Sequence, residues 1–324
     1  MSDFLNTSDF DRDLFEHHPL VTATYTLITP MIAKAYSIIR ERVFARHTGT
    51  FMFARPRMGK TKCAMTIKEL LEAEFPQKYI LYHTVDGDRS ARLVRDLVMC
   101  IGLVTKIKES YSQLMEKFLL RVVSKLEERG GNHFVMIIDE NQLLSIDAYN
   151  ELLVIHNRLG ARGISMTTVG FGQTEILGKR QVLFALGATN LVARFLCEPV
   201  KFVGCLDLQD LTSILDQYDS KIEYPLDSGC TYTQFFLPQA FASGFRIANY
   251  ASVVWAALIN IAGEKGPGSL PLEHIFRVIE HMLLRCRHMD SANFEISAAI
   301  IDESIDASLI KEFVSIMSQS ATQD

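Results

Sequence analysis

Apolar positions along this chain follow two rhythms. Up to about Gly204, short apolar runs alternate with stretches in which apolar residues recur at helical spacing; beyond it, helical spacing dominates. Val135 to Ile138 is a run too short for a helix and suits a strand buried on both faces of a parallel sheet. Further strands are predicted at Phe51–Phe53, Tyr79–Val85, Ile164–Val169 and near Glu198–Val203. Between them, Leu20–Arg46 reads as helix-rich and broken at Pro30, with apolar residues at Ile32, Tyr36, Ile39 and Val43. Helices are also predicted over Lys62–Glu74, Ser90–Ile101, Glu109–Arg129 (stopping at Gly130 and Gly131) and Ser145–Leu159. Strands alternating with helices predict an α/β fold, a parallel sheet flanked by helices on both faces.

Past Gly204 the spacing of Leu208, Leu211, Ile214 and Leu215, of Ile247, Tyr250, Val254 and Leu258, and of Ile275–Leu284 predicts a small C-terminal helical lid domain. The expected organisation is an N-terminal helical extension (1–46), an α/β core (47–204), and the helical domain with a tail (205–324). Met1–Asp13 and Met317–Asp324 are expected to be flexible or partner-docking segments. The segment after Gly263 is too short and irregular to predict a winged helix.

Composition narrows the class. The chain has 324 residues, 48% of them hydrophobic, enough for a sizeable core. No apolar run reaches the roughly 18 to 20 residues that a membrane span needs, and the leader MSDFLNTSDFDRDLFEHH is too charged for a signal peptide. The six cysteines are scattered without C-x-x-C spacing, and no histidine has the companions of a metal set, so reduced thiols and a cytoplasmic location are expected. A net charge of −5 argues against coating nucleic acid through a global field; any DNA contact has to come from a local basic stripe, summed over subunits.

The candidate chemistry lies in two segments. In FMFARPRMGKT, strand Phe51–Phe53 runs into a loop whose backbone N–H groups, from Arg57 and Met58 through Gly59, Lys60, Thr61 and Lys62, open a helix and form an anion hole. Lys60 has the reach to contact the β- and γ-phosphates of ATP, and the Thr61 hydroxyl suits Mg²⁺. Ala54 replaces the first glycine of the G-x-x-x-x-G-K-[ST] pattern, so the turn there either differs slightly or binds less well. In FVMIIDE, Asp139 emerges at the carboxyl end of a strand, where open α/β sheets bind ligands, and suits the Mg²⁺ shell. Glu140 is the candidate to polarise an attacking water. The alternative for both carboxylates is an N-cap role for the helix beginning near Ser145.

These residues resemble AAA+ ATPases and, within them, transposition regulators of the TnsC/TniB/MuB type. ARPRMGKT looks like that group's nucleotide loop, with an arginine at Arg57, and IIDENQLL looks like its acidic motif. HNRLGARGISMTTVGFGQTEIL resembles the next strand and first sensor, for which Thr168 and Gln173 compete. LVARF resembles the segment carrying an arginine finger, Arg194, whose alternative is a surface ion pair. GFRIANYA resembles a second sensor, Arg246, whose alternative is a solvated helix start.

The resemblance implies an ATP- and Mg²⁺-dependent, sequence-tolerant DNA-binding homo-oligomer, ring or helical filament. It would mark double-stranded target DNA, recruit a transposase and a target-selection protein of the TniQ type, and disassemble on slow ATP hydrolysis. Signalling switches of the STAND type and origin-recognition or helicase-loader ATPases are the alternatives. Arg89, Arg92 and Arg95 are predicted to share a helix face and, with Lys106 and Lys108, to track DNA phosphates; a solvated face paired with Asp86, Asp88 and Asp96 is the alternative.

Overall fold

The computed structural model describes residues 9–87, 92–106, 108–262 and 268–320. The chain divides into two compact units, one formed by Met31–Val203 and the other by Met1–Pro30 together with Gly204–Asp324. The compositional change at Gly204 coincides with this division. The segment 1–46, expected as one extension, is shared between the two units. A short helix, α1 (Asp9–Glu16), opens the described chain, so residues expected to be a flexible end are in part helical.

The first unit begins with α2 (Pro30–Phe44) and continues through β1 (Gly49–Phe53), α3 (Lys60–Glu74), β2 (Tyr79–Thr84), α4 (Leu93–Cys100), α5 (Tyr111–Glu128), β3 (His133–Asp139), α6 (Ile146–Gly160), β4 (Ser165–Gly172), α7 (Glu175–Ala185), α8 (Thr189–Phe195) and β5 (Pro199–Lys201). The five strands form one sheet in the order β2-β3-β4-β1-β5, with every pair parallel. β3 is an interior strand, wholly buried, which explains its unbroken apolar run. Phe134, Met136 and Ile138 pack with α4, α5 and α6, whereas Val135 and Ile137 pack on the opposite face with α2 and α3. Pro30 does not break a helix but starts one, where its fixed φ is favourable and its missing N–H costs nothing.

Helix starts follow local chemistry. Ser145 caps α6 through its side chain, and Ser110 with Gln113 forms a capping box on α5. α4 begins at Leu93, later than expected, with Arg92 extended at its N-cap.

Gly170 in β4 is required by close packing. A Cβ there would stand 2.2 Å from Asn141 Nδ2, while Asn141 Oδ1 accepts a bond from the Tyr149 hydroxyl at 3.0 Å. Gly170→Ala is expected to overpack this contact and lower stability by about 1–3 kcal/mol, measured by urea denaturation.

The second unit is helical: α9 (Leu208–Ser220), α10 (Tyr232–Phe236), α11 (Pro238–Ala242), α12 (Ala251–Ala262), α13 (Leu272–Cys286), α14 (Ala298–Ala307) and α15 (Ile310–Ser320). α15 extends into the tail that was expected to be flexible. Residues 268–320 hold α13, a 3₁₀ turn at Arg287–Met289, α14 and α15, and no strand.

In this unit His18 is fully buried against Tyr224, Tyr232, Phe235 and Phe236, with ring centroids between 4.4 and 4.8 Å away. Its Nδ1 accepts the Leu20 N–H at 3.0 Å, which places the proton of the neutral ring on Nε2. Burial lowers its pKa to about 4. The unfolded chain, with an ordinary histidine near 6.5, therefore takes up a proton before the folded one does. Stability is expected to fall as pH drops from about 6.5 to about 4, by at most about 3 kcal/mol from this residue. His133, lowered to about 3 by burial and then by Lys78 and Arg46, acts in the same direction on the other unit. Thermal midpoints from pH 7 to pH 4 should decline less steeply in His18→Phe than in the wild type.

Candidate active site

The phosphate loop is built as an extension of the sheet. The Ala54 N–H donates to the Gly172 carbonyl at 3.1 Å, continuing the pairing in which Phe53 lies opposite Gly172. Ala54 is buried, and the positive φ angles of the loop fall instead at Arg57 (61°) and Gly59 (92°). The turn therefore does not demand glycine at position 54. The buried side chain of Met58 anchors the loop in the core formed by α2, α3 and one face of the sheet.

Beyond Gly59 the loop becomes α3. The first N–H groups of a helix lack intrahelical partners. Gly59 offers no side-chain cap, and the first turn of α3 holds no acidic residue. Lys60 is 7% exposed, and its amino group donates to the Arg55 carbonyl at 2.9 Å and the Ala54 carbonyl at 3.4 Å. Burial lowers its pKa, against the opposing charges of Glu140, Asp139 and Glu175. Thr61 and Lys62 follow, both exposed. An uncapped helix start, a buried cation and nearby carboxylates fit a triphosphate carrying a divalent ion.

Asp139 ends β3 with 1% exposure. Its Oδ2 accepts from the Tyr82 hydroxyl at 3.0 Å, which in turn accepts from Thr84 Oγ1 at 3.0 Å, and its Oδ1 accepts the Glu140 N–H at 3.0 Å. Burial first, then Asp139, pushes the Tyr82 phenol up to about 12, so it stays a donor to Asp139. Glu140 follows in the left-handed region, φ 54°, and heads the 3₁₀ turn Asn141–Leu143. Ser145, rather than Asp139 or Glu140, caps α6. Gln142 donates from its side-chain amide to Glu140 and accepts the Gln173 N–H at 2.9 Å.

Strand register separates the two first-sensor candidates. Gln173 directly follows Gly172, opposite the end of β1, whereas Thr168 lies opposite Gly49 at the far end of that strand. Four residues of strand, roughly 13 Å, divide Thr168 from Gly172. Thr168 is buried within the sheet and Gln173 stands at the edge with Asp139 and the loop.

The remaining candidates are placed elsewhere. Arg194 lies in the last turn of α8 and donates to Asn157 Oδ1 at 2.7 Å, a neutral partner in place of the ion pair considered above. Arg246 belongs to the helical unit. Its guanidinium stacks 3.7 Å from the Phe241 ring centroid and donates to the carbonyls of Phe241 (3.0 Å) and Phe245 (2.6 Å). The helix start that follows it is capped by the Asp219 carboxylate, which accepts from the Ile247 and Ala248 N–H groups.

Arg89 lies outside the described residues. Arg92 precedes α4, so it does not share a helical face with Arg95; its guanidinium sits 4.9 Å from the Tyr111 ring centroid. Lys106 and Lys108 are exposed.

Tyr82, Gln142, Glu175 and Lys179 were not singled out from the sequence. Lys179 donates to the carbonyls of Gln142 and Leu144 and so holds the turn after β3. The parallel pairing of Thr84 with Asp139 is the signal that brings β2 side chains to the site, and it is visible only once strand order is known.

The fold is that of the AAA+ P-loop class, a parallel five-stranded sheet flanked by helices with a helical C-terminal region. Residues 46–179 match the family model of an AAA domain. The sequence matches no curated protein. Among solved structures the chain is similar to Cdc6p from Pyrobaculum aerophilum, with TM-score 0.52 and 12% identity over 82% of this chain and 64% of that one. It is also similar to the Orc1 protein of Aeropyrum pernix in complex with DNA (TM-score 0.49, 12% identity, 88% of this chain and 67% of that one) and to domain III of the Thermotoga maritima replication initiation protein DnaA (TM-score 0.49, 14%, 89% and 96%). The chain thus spans less than two thirds of the length of the Pyrobaculum protein. No helix among the described residues is long and apolar enough to cross a membrane.

Proposed function

We propose that this protein binds and slowly hydrolyses ATP with Mg²⁺, and that its ATP-loaded form assembles as a homo-oligomer on double-stranded DNA to regulate a transposase. The observation that carries the nucleotide reading is the meeting, at one sheet edge, of the Lys60 loop with Asp139 and Glu140.

Bound Mg-ATP supplies an electrophilic phosphorus and a leaving group. The chain's own residues do the rest. N–H groups from Arg57 to Lys62 and the Lys60 ammonium hold phosphate oxygens, and Thr61 with Asp139 holds the ion. Tyr82 keeps the Asp139 carboxylate oriented, and Glu140 accepts a proton from water at its carboxylate. Gln173 reports on the terminal phosphate from the end of β4. Arg194 serves a neighbouring protomer's site, and Arg246 serves as the lid's sensor.

The transposition role, with a transposase and a TniQ-type target selector as partners, is supported by the motif resemblance. Arg92, Lys106 and Lys108, with Arg89, form the candidate DNA stripe. A cytoplasmic location suits these partners. The fold likeness to Cdc6p supports a second reading, an initiator or helicase-loader ATPase.

Assembly on a random-sequence duplex, viewed by negative-stain microscopy with ATP, with ADP and with Lys60→Ala, tests the proposal. ATP-dependent rings or filaments on DNA, absent with ADP or the variant, are expected. Discrete oligomers indifferent to DNA would overturn it in favour of a STAND-type signalling switch. Adding transposase then separates the first reading from the second, since only a transposition regulator stimulates strand transfer.

A further inference from the structure

Gln142 stands between two groups of the site. Its Oε1 accepts the Gln173 N–H at 2.9 Å, and because a backbone N–H only donates, the atom facing it must be the oxygen. The amide nitrogen is thereby turned toward Glu140, to which it donates. β4 ends in glycine where this side chain crosses: a Cβ on Gly172 would stand 2.9 Å from Gln142 Oε1.

The same turn is held through its backbone. Lys179 on α7 donates to the carbonyls of Gln142 and Leu144, and the Leu143 N–H donates to the Glu140 carbonyl at 2.8 Å. Glu140 itself has φ 54°, a conformation that a non-glycine residue keeps only when its surroundings over-determine it. Those surroundings are contributed by β4 and α7, not by β3 alone.

We propose that Gln142 is a positioning residue that ties the orientation of the Glu140 carboxylate to the end of β4, so that displacement at Gln173 is transmitted to Glu140 through one side-chain amide. The proposal rests on the reading of Glu140 as the group that activates water. With one carboxylate oxygen held by Gln142, the other is presented in a fixed direction. The charged and titratable groups around Glu140 include Lys60 from α3, Asp139 from β3 and Tyr82 from β2.

Three variants and two readouts test it. Gln142→Ala is expected to lower kcat by about 10- to 100-fold with KM for ATP nearly unchanged, because orientation and not binding is lost. Gln142→Asn, which keeps the amide but shortens its reach, should fall between Ala and wild type. Gln142→Glu keeps an acceptor for the Gln173 N–H but removes the donor to Glu140, so it should lower kcat at least as far as Gln142→Ala does, again with KM nearly unchanged. The second readout needs no nucleotide: hydrogen exchange at the Gln173 amide should be slow in wild type and in Gln142→Glu, and faster in Gln142→Ala.

Wild-type kcat in Gln142→Ala, or unchanged exchange at the Gln173 amide in that variant, would overturn the proposal. If the wild type hydrolyses ATP and Glu140→Gln does not, a fully active Gln142→Ala sinks the Gln142 role alone. If the wild type does not hydrolyse ATP, the reading of Glu140 falls and the Gln142 proposal with it.

Discussion

Replacing Lys60 with methionine is expected to abolish the stabilisation of this protein by Mg-ATP while making the nucleotide-free protein more stable. The two effects have one cause. Lys60 is 7% exposed, and its ammonium is satisfied by two carbonyls of its own loop. Burial penalises that charge and lowers its pKa, against the opposing carboxylates. A thioether of similar length fills the same space without the desolvation cost, so the free protein should gain stability. In the wild type, ATP at about a hundred times its Kd adds about 2.7 kcal/mol by mass action. Without the ammonium the phosphates lose a charge-assisted partner in a partly dry site, and that increment should vanish. Thermal melts of both proteins, with and without Mg-ATP, read both effects. A variant that is destabilised when free and still stabilised by ATP would contradict the assignment.

Glu140→Gln is expected to leave ATP affinity within a few-fold and to slow hydrolysis by about 10²–10³-fold. The amide keeps the size of the side chain and its contact with the Gln142 amide nitrogen, but it cannot accept a proton from water. Binding is proposed to depend on the loop, Thr61 and Asp139, whose side chains the substitution leaves unchanged. Since hydrolysis is proposed to disassemble the oligomer, the variant should also persist on DNA after ATP is withdrawn. Phosphate release in multiple-turnover assays measures the first effect, and dissociation from labelled duplex measures the second. Hydrolysis at the wild-type rate would return Glu140 to a plain structural role at the end of β3.

The parts of this fold legible in the sequence are those whose signals are local. A strand buried on both faces must be apolar throughout, so β3 stood out, and Asp139 and Glu140 followed from its end. The loop was legible because Gly59, Lys60 and Thr61 stand in the order expected between a strand and a helix, and α3 begins there. α7 and α8 left no such trace: Val182, Phe184 and Leu186 are exposed apolar residues that blur the buried stripe formed by Ile176 and Leu183. Pro30 was read as a break because a proline interrupts an interior helix and begins a terminal one with the same residue.

What the sequence concealed was register and partition. Thr168 and Gln173 were equal candidates until parallel pairing set one opposite Gly49 and the other beyond Gly172. Tyr82 and Gln142 reach the site from β2 and from a turn, through contacts that no spacing encodes. Residues 1–30 group with the segment from Gly204 onward, a long-range choice that depends on the aromatic surroundings of His18.

Calorimetric titration of Mg-ATP into the wild-type protein tests the central claim most directly. One saturable site per chain, dependent on Mg²⁺ and lost in Lys60→Ala and Asp139→Asn, is the expected result. No saturable binding at millimolar ATP, or binding indifferent to both substitutions, would contradict a nucleotide site at this sheet edge.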